Sequence, residues 1–484
     1  MSKFNQTKTM KTTNRSGHIA YDMKDKDKLV TMVLTTFFNE PKYYGDNSNE
    51  LVELAEKVAS NDPRFVANLA MYARKEMHLR SVSHVLTSVV AHTVESKPFI
   101  RDTVDGVVER ADDVTEIMAC YLSMYGKPVP NGLKKGLNDA MKKFNAFAFS
   151  KYNGGNKEVK FRDVLRICHP KADTDKQNKT FKMILDDTLP VAKRWETELS
   201  ARGNTKEVWE ELIEENRIGY MAALRNLRNI INVTPSNIQK VYDKLSNKEE
   251  VLKSKQLPFR FLSAYKNLPS GATTKVRDVL EDACEYSTDN LPKIPGKTVI
   301  AIDTSGSMGR AISAKSNIKC GEIAMMLGFM ANKLCEEAIV YTFDTELDEL
   351  EVSHRSGIIS STINARTPGG GTNLKLPLQR MIDDNIEADR LIMVSDNVIN
   401  SDWVRGGFKE TCQLLADRYR KTVNPNFWVH AIDLQGYGTQ QFIGDKTNII
   451  AGWSEKILEF IMLAEQGISN QVEKIEKYHE TIDI

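Results

Sequence analysis

Long apolar runs are missing from this chain: none approaches the ~18 residues that a membrane span requires, so a soluble protein without a membrane partner is expected. An export signal is missing too. The first residues, MSKFNQTKTMKTTNRSGHIAYDMKDKDK, are polar and lack the apolar segment of a secretory leader, so they read as a flexible arm. Cysteine is sparse. Cys120, Cys168, Cys284, Cys320, Cys335 and Cys412 include no CxxC pair, which suits reduced thiols in a reducing compartment and places the protein in the cytoplasm. No GxxxxGK[ST] loop is present, so nothing marks an ATPase.

A large excess of either charge is also absent over the whole chain, with 66 Lys plus Arg against 65 Asp plus Glu. Division near Pro295 uncovers a split. Residues 1–295 carry 47 basic against 39 acidic side chains, and the remainder 19 against 26. Opposite signs in two halves point the first toward a polyanion, while a merely solvated surface gives the same count. With 484 residues the chain exceeds the ~250 to 300 that one core sustains, so two folded domains are expected.

What is present falls into two textures. From Lys28 to about Asp289, segments such as NELVELAEKVAS, DPRFVANLAMYARKEM and VTEIMACYLSMYG repeat apolar residues at three and four spacing, which predicts helices. Asp62 before Pro63 predicts an N-cap with proline at the first helical position, and Pro130-Asn131-Gly132 punctuates before LKKGLNDAMKKFNAFAF. More than ten helices with short connections suggest paired helices stacked in an irregular HEAT-like solenoid. At LPKIPGK, residues 291–297, the texture changes. TVIAID, AIVYTF, RLIMVSDN and FWVHAIDL then alternate with helical segments, which predicts a mostly parallel sheet covered on both faces. The expected organisation is an arm over residues 1–15, a helical domain over 16–290, a linker over 291–297 and an α/β Rossmann-like domain over 298–484.

Ligands of such sheets bind at the carboxyl ends of strands. There, TVIAIDTSGSMG places Asp303, Ser305 and Ser307 at alternate positions, and Gly306 and Gly309 leave room for a shallow cup. TPGGGTNL offers Thr372, and RLIMVSDN ends on Asp396. One divalent cation, Mg²⁺, suits this set, because it takes oxygens at ~2.1 Å and keeps several waters. The alternative is a strand-end turn, since Asp and Ser are common turn formers.

The DxSxS, Thr and Asp pieces, in that order and context, resemble the metal-ion-dependent adhesion site of von Willebrand factor A domains. The resemblance implies direct ligation by Ser305 and Ser307, ligation by Thr372 directly or through water, and ligation by Asp303 and Asp396 through water. An open position would accept an acidic partner residue. Upstream, TTFFNEPKYYGD, ARKEMHLRSVSHVL, KFRDVLRICHPK and ALRNLRNI are similar to the TROVE module of the Ro ribonucleoprotein family. That likeness spans roughly Ser16 to the C-terminus. It implies a monomeric ring of helical repeats closed by the A domain, with small Y-like RNAs on the outer rim. It also implies single-stranded 3′ ends of misfolded or immature RNAs in the central hole.

The residues themselves nominate phosphate contacts. Arg74, Lys75, Arg80 and His84 fall within one expected helical stretch, with Arg74 and His78, or Arg80 and His84, four apart on one face. His84 packing in the core is the competing reading. Lys160, Arg162, Arg166, His169 and Lys171 gather around a helix end, and the family likeness points to His169 for Y-like RNA. Phe144, Phe147 and Phe149 among lysines are read as core residues of an amphipathic helix. Arg225 and Arg228 line a groove or cap a helix. The leading expectation is a non-catalytic RNA-binding protein serving RNA quality control or processing, with an exoribonuclease as a further partner. The alternative is a chelatase- or AAA-associated scaffold whose A domain recruits an acidic partner. A hydrolase would need a general base, for which His354 is the nominee.

Overall fold

The computed structural model describes residues 11–13, 19–35, 48–154, 157–191, 194–289, 291–311, 318–365, 369–396, 410–435, 438–452, 455–467 and 470–481. The chain divides into two compact units, one of residues 1–39 and 209–471, the other of 40–208 and 472–484.

The second unit is helical. Asp62 accepts from Phe65 N at 3.1 Å and Pro63 follows at the first helical position, so the helix Pro63–Lys75 starts where the sequence predicts. Ten of its residues, Phe65 through Arg74, are buried. The chain then breaks rather than continuing. His78 adopts a left-handed backbone (φ 56°), Leu79 N closes the helix end on Ala73 O at 2.8 Å, and a new helix runs Ser81–His92. The expectation that Arg74, Lys75, Arg80 and His84 share one helical stretch is therefore corrected, and Arg74 and His78 do not share a helix face.

Glycines bring the next helices close. A Cβ on Gly136 of Asn131–Met141 would lie 2.9 Å from Val104 of Ile100–Val107, so only glycine permits this approach. The segment read as one helix up to Phe149 is two. Asn145 accepts from Ala148 N at 2.9 Å and starts a fresh helix, Ala146–Tyr152. Helices Phe161–Cys168 and Asp175–Leu185 follow. Near the C-terminus Tyr478 stands edge-on to Tyr72 at 5.5 Å, and Asn68 Nδ2 donates to Ile475 O at 3.0 Å.

The other unit carries the sheets. Strands β1 (Lys11–Thr13) and β2 (Ile19–Asp22) come from the segment read as an arm. The remaining strands are β3 (Ile294–Asp303), β4 (Cys335–Phe343), β5 (Leu347–Leu350), β6 (Arg390–Ser395), β7 (Trp428–Asp433), β8 (Thr439–Gln440) and β9 (Thr447–Ala451). The small sheet runs β1-β2-β8 and is antiparallel. The large one runs β5-β4-β3-β6-β7-β9, parallel except where β5 returns against β4. From β3 the chain first goes one way to β4, and later the other way to β6. This makes a topological switch between β3 and β6, where such sheets place ligands.

Both faces of the large sheet are covered, as the continuous burial of Val299 through Asp303 requires. Val299, Ala301, Leu391, Met393, Val429 and Ala431 face one core with Leu378, Leu415 and Tyr419. On the other face lies Cys320–Leu334, a helix apolar all round, where a Cβ on Gly328 would fall on Ile302. Helices Tyr220–Val233, Pro258–Lys266 and Thr274–Tyr286 belong to this same unit, and Lys266 pairs with Glu322 at 2.7 Å.

Candidate metal centre and nucleic-acid surface

Asp303 ends β3 fully buried, and hydrogen bonds fix both its oxygens. Ser305 N donates to Oδ1 at 2.8 Å and Ser395 Oγ to Oδ2 at 2.5 Å. Ser305 Oγ and Ser307 Oγ lie 3.1 Å apart on the turn that follows. Gly306 N donates to Gly370 O at 2.8 Å and Gly369 N to Thr304 O at 3.1 Å, which ties this turn to the loop that carries buried Thr372. Asp396, also fully buried, follows β6. All five residues expected of the cup thus lie at the carboxyl ends of β3 and β6 or on loops bonded to them.

Burial pushes the Asp303 carboxyl up to about 7, and the charge of Asp396 adds to this. Two buried carboxylates that repel each other are expensive unless a cation stands between them. The donor set contains oxygen only, with neutral hydroxyls beside two carboxylates, which fits Mg²⁺ and not zinc.

Sequence reasoning missed Asp344. It follows β4 and fastens the glycine loop: its Oδ2 accepts from Gly370 N at 3.0 Å, its Oδ1 from Glu346 N at 2.9 Å, and its carbonyl from Asn373 N at 2.9 Å. The glycines are thereby explained. Gly369 has φ 84°, and a Cβ on Gly370 would stand 3.1 Å from Asp344 Oδ2 and 2.8 Å from Thr345 Oγ1. Asp433, buried at the end of β7, was missed as well. Asp303, Asp344, Asp396 and Asp433 each stand at or just past the end of an apolar strand, a signal that AIVYTFD and WVHAID carried.

Three of the first four nominated residues, Arg74, Arg80 and His84, turn inward, which corrects the phosphate-facing expectation for them. Arg74 is 6% exposed; its Nε donates to Val107 O at 3.1 Å, and its other nitrogens reach Asp113 at 3.1 Å and Glu109 at 3.2 Å. Arg80 Nε donates to Asp113 Oδ1 at 2.6 Å, and His84 Nε2 lies 3.1 Å from the same oxygen. Burial alone would raise the Asp113 carboxyl. His84, Arg80 and Arg74 together hold it well below the usual range. Lys75, at the helix end, is half-buried.

The second group turns outward. Lys160, Arg166, His169 and Lys171 are exposed and Arg162 half-buried, and none of the five makes an ion pair among the described residues. The nearby Asp163 carboxylate is occupied by the Lys160 amide at 2.9 Å, and Asp173 pairs with Lys142 at 2.7 Å. His169 caps the helix Phe161–Cys168 in a left-handed conformation (φ 51°). Phe149 is buried as expected, but Phe147 is 57% exposed, which corrects its assignment to the core. Arg225 and Arg228 are exposed on Tyr220–Val233, and His354 is exposed beyond β5.

Fold and site define a class: a helical array joined to a doubly wound sheet with an oxygen-lined cup at its switch point. The TROVE domain model matches residues 22–189 and 187–281, and the Ro60 vWA domain model matches 297–425. The chain belongs to the TROVE-domain family, with a Ro60-type A domain after the helices. RNA-binding protein RO60 of Deinococcus radiodurans is 22% identical over 293 residues, 49% of this chain and 53% of its own length. RO60 of Caenorhabditis elegans is 25% identical over 209 residues, 40% of this chain and 32% of its own. Telomerase protein component 1 of Rattus norvegicus is 23% identical over 301 residues, 45% of this chain and 11% of its own. The chain thus matches about a tenth of the telomerase component and about half or less of each RO60. The crystal structure of the Deinococcus radiodurans RO (RSR) protein superposes with a TM-score of 0.62 at 15% identity, over 92% of this chain and 100% of that one. Among the described residues no helix is long and apolar enough to cross a membrane.

Proposed function

We propose that this chain is a non-catalytic cytoplasmic RNA-binding protein of the Ro type. It holds Y-like small noncoding RNA, together with misfolded or immature RNAs through their single-stranded 3′ ends, and presents them to an exoribonuclease. The observation that carries the reading is the set of outward cations on and around Phe161–Cys168, with no ion-pair partners among the described residues, in a chain of the TROVE-domain family. Cations already paired contribute little to a polyanion. These five are available to replace counterions on phosphates.

In this reading the cup of Asp303, Ser305, Ser307, Thr372 and Asp396 holds one Mg²⁺. Bound there, the ion would offer an open position to an acidic residue of a protein partner. The chain's own part is to keep the hydroxyls of Ser305 and Ser307 together and to fix Asp303 through Ser305 N and Ser395 Oγ. Nothing in this role requires bond cleavage.

Electrophoretic binding to RNAs with single-stranded 3′ tails and to blunt duplexes, across a salt series, tests the reading. Tailed RNA should bind more tightly, with a log–log salt slope of up to about −3.5 if all five cations each meet one phosphate. Equal and negligible binding of both would reject it.

A further inference from the structure

The exposure of Phe147 has a local cause. Phe149 is fully buried, its ring edge-on to Phe144 at 6.0 Å and to Phe161 at 5.0 Å. Two residues of helix turn the chain by about 200°, so burying Phe149 directs Phe147 outward. The short helix cannot roll to hide it. Asn145 caps its start, and just before it Lys143 Nζ donates to Asp105 O at 2.7 Å. The ring is therefore a fixed, outward aromatic surface of the kind that binds without first paying ordering entropy.

Its surroundings are cationic. Lys151, four residues on and exposed, shares the helix face of Phe147, and its Nζ stands 5.2 Å from the Tyr152 ring. Through the contact of Phe149 with Phe161, the buried side of this helix lies against Phe161–Cys168, so Phe147 looks away from that helix and Lys151 is the cation on its own face. An aromatic face with a lysine one turn along the same side matches the two halves of a nucleotide, the base and the phosphate.

We infer that Phe147 is a stacking platform for one unpaired nucleobase of single-stranded RNA, with an adjoining phosphate held by Lys151. The inference rests on the RNA-binding reading above and deepens it. A platform of this kind selects single strands, because a paired base already has its faces covered.

The test uses the full chain and a fluorescent single-stranded oligouridine, with a second probe abasic throughout. Phe147→Ala should weaken binding of the first probe by about 5- to 150-fold, the loss of one stacked base. Its salt slope should match that of the wild type, and Phe147→Trp should restore affinity. On the abasic probe Phe147→Ala and wild type should bind alike. Lys151→Ala should instead make the slope shallower by about 0.7. Wild-type binding of the oligouridine that Phe147→Ala leaves unchanged, or an equal loss on both probes, would overturn the platform and leave RNA binding standing. No binding of either probe by the wild type would overturn both.

Discussion

Replacing Asp303 by asparagine removes one of two buried charges at the cup while keeping the side-chain shape. Without a cation, the folded chain holds the Asp303 proton to a higher pH than the unfolded chain, where the carboxyl titrates near the ordinary value. The stability that this proton contributes is fully present below about pH 4 and is lost as pH rises toward about 7. A shift of about three pK units, at 1.36 kcal/mol each, bounds the loss at about 4 kcal/mol. Asparagine never meets this penalty. Its carbonyl can still accept from Ser305 N, and the Ser395 hydroxyl can turn to accept from its amide, so the substitution costs only about 1 kcal/mol. The cost of burying the charge, with the repulsion of Asp396 added, therefore outweighs the lost hydrogen bond at high pH. Asp303→Asn should be more stable than wild type by up to about 3 kcal/mol at pH 8 in a chelator, and by less than about 1 kcal/mol at pH 5, where under half of the penalty has developed. Excess Mg²⁺ should reverse the order at pH 8, since about 1,000-fold over Kd it adds about 4.1 kcal/mol to the wild type alone. Urea unfolding of both proteins at the two pH values, with Mg²⁺ or chelator, reads all of this. Groups away from the cup, such as Asp113, titrate identically in both proteins and cancel in the difference. A wild type indifferent to Mg²⁺ at pH 8, and equal to the variant in chelator, would refute a cation-holding carboxylate pair.

Asp113→Asn strips the shared partner from Arg74, Arg80 and His84 and should destabilise the helical unit by about 3 to 5 kcal/mol, measured by urea unfolding; a loss under about 1 would mean that the cations find water instead. Because the Asp113 carboxyl is held below its usual range, the stability it contributes should persist down to about pH 4 and fall only with further acidification. Gly370→Ala should push the loop away from Asp344 and weaken Mg²⁺ binding at least about tenfold by calorimetry; unchanged affinity would show that the loop does not position Thr372. The pair Arg166→Ala with Lys171→Ala should make the RNA salt slope shallower by about 1.4 without changing Mg²⁺-dependent stability.

The cup was legible because its pieces are local. Asp303, Ser305 and Ser307 share one strand end and turn, and their spacing survives in the fold. Asp344 was not legible as a loop fastener, since its partner Gly370 is 26 residues away and no periodicity connects them. Helix breaks were obscure for a related reason. The apolar rhythm runs straight through Asn145 and His78, while the breaks depend on a side-chain cap at one and a left-handed backbone at the other.

The two groups of nominated cations show where such reading fails and why. Both place arginine, lysine and histidine at helical spacing, so composition ranks them alike. What separates them is an acid elsewhere in the chain. Asp113 lies 29 residues beyond His84 and 39 beyond Arg74, yet the fold buries it among them, where five donors including the amides of Glu109 and Arg110 surround one carboxylate. Around Phe161–Cys168 two nearby acids are already occupied, Asp163 by a backbone amide and Asp173 by Lys142. The cations there keep their charge at the surface. Availability to a phosphate thus depends on what the acids do, and a search for nucleic-acid contacts in this chain should begin with cations whose neighbouring carboxylates are accounted for.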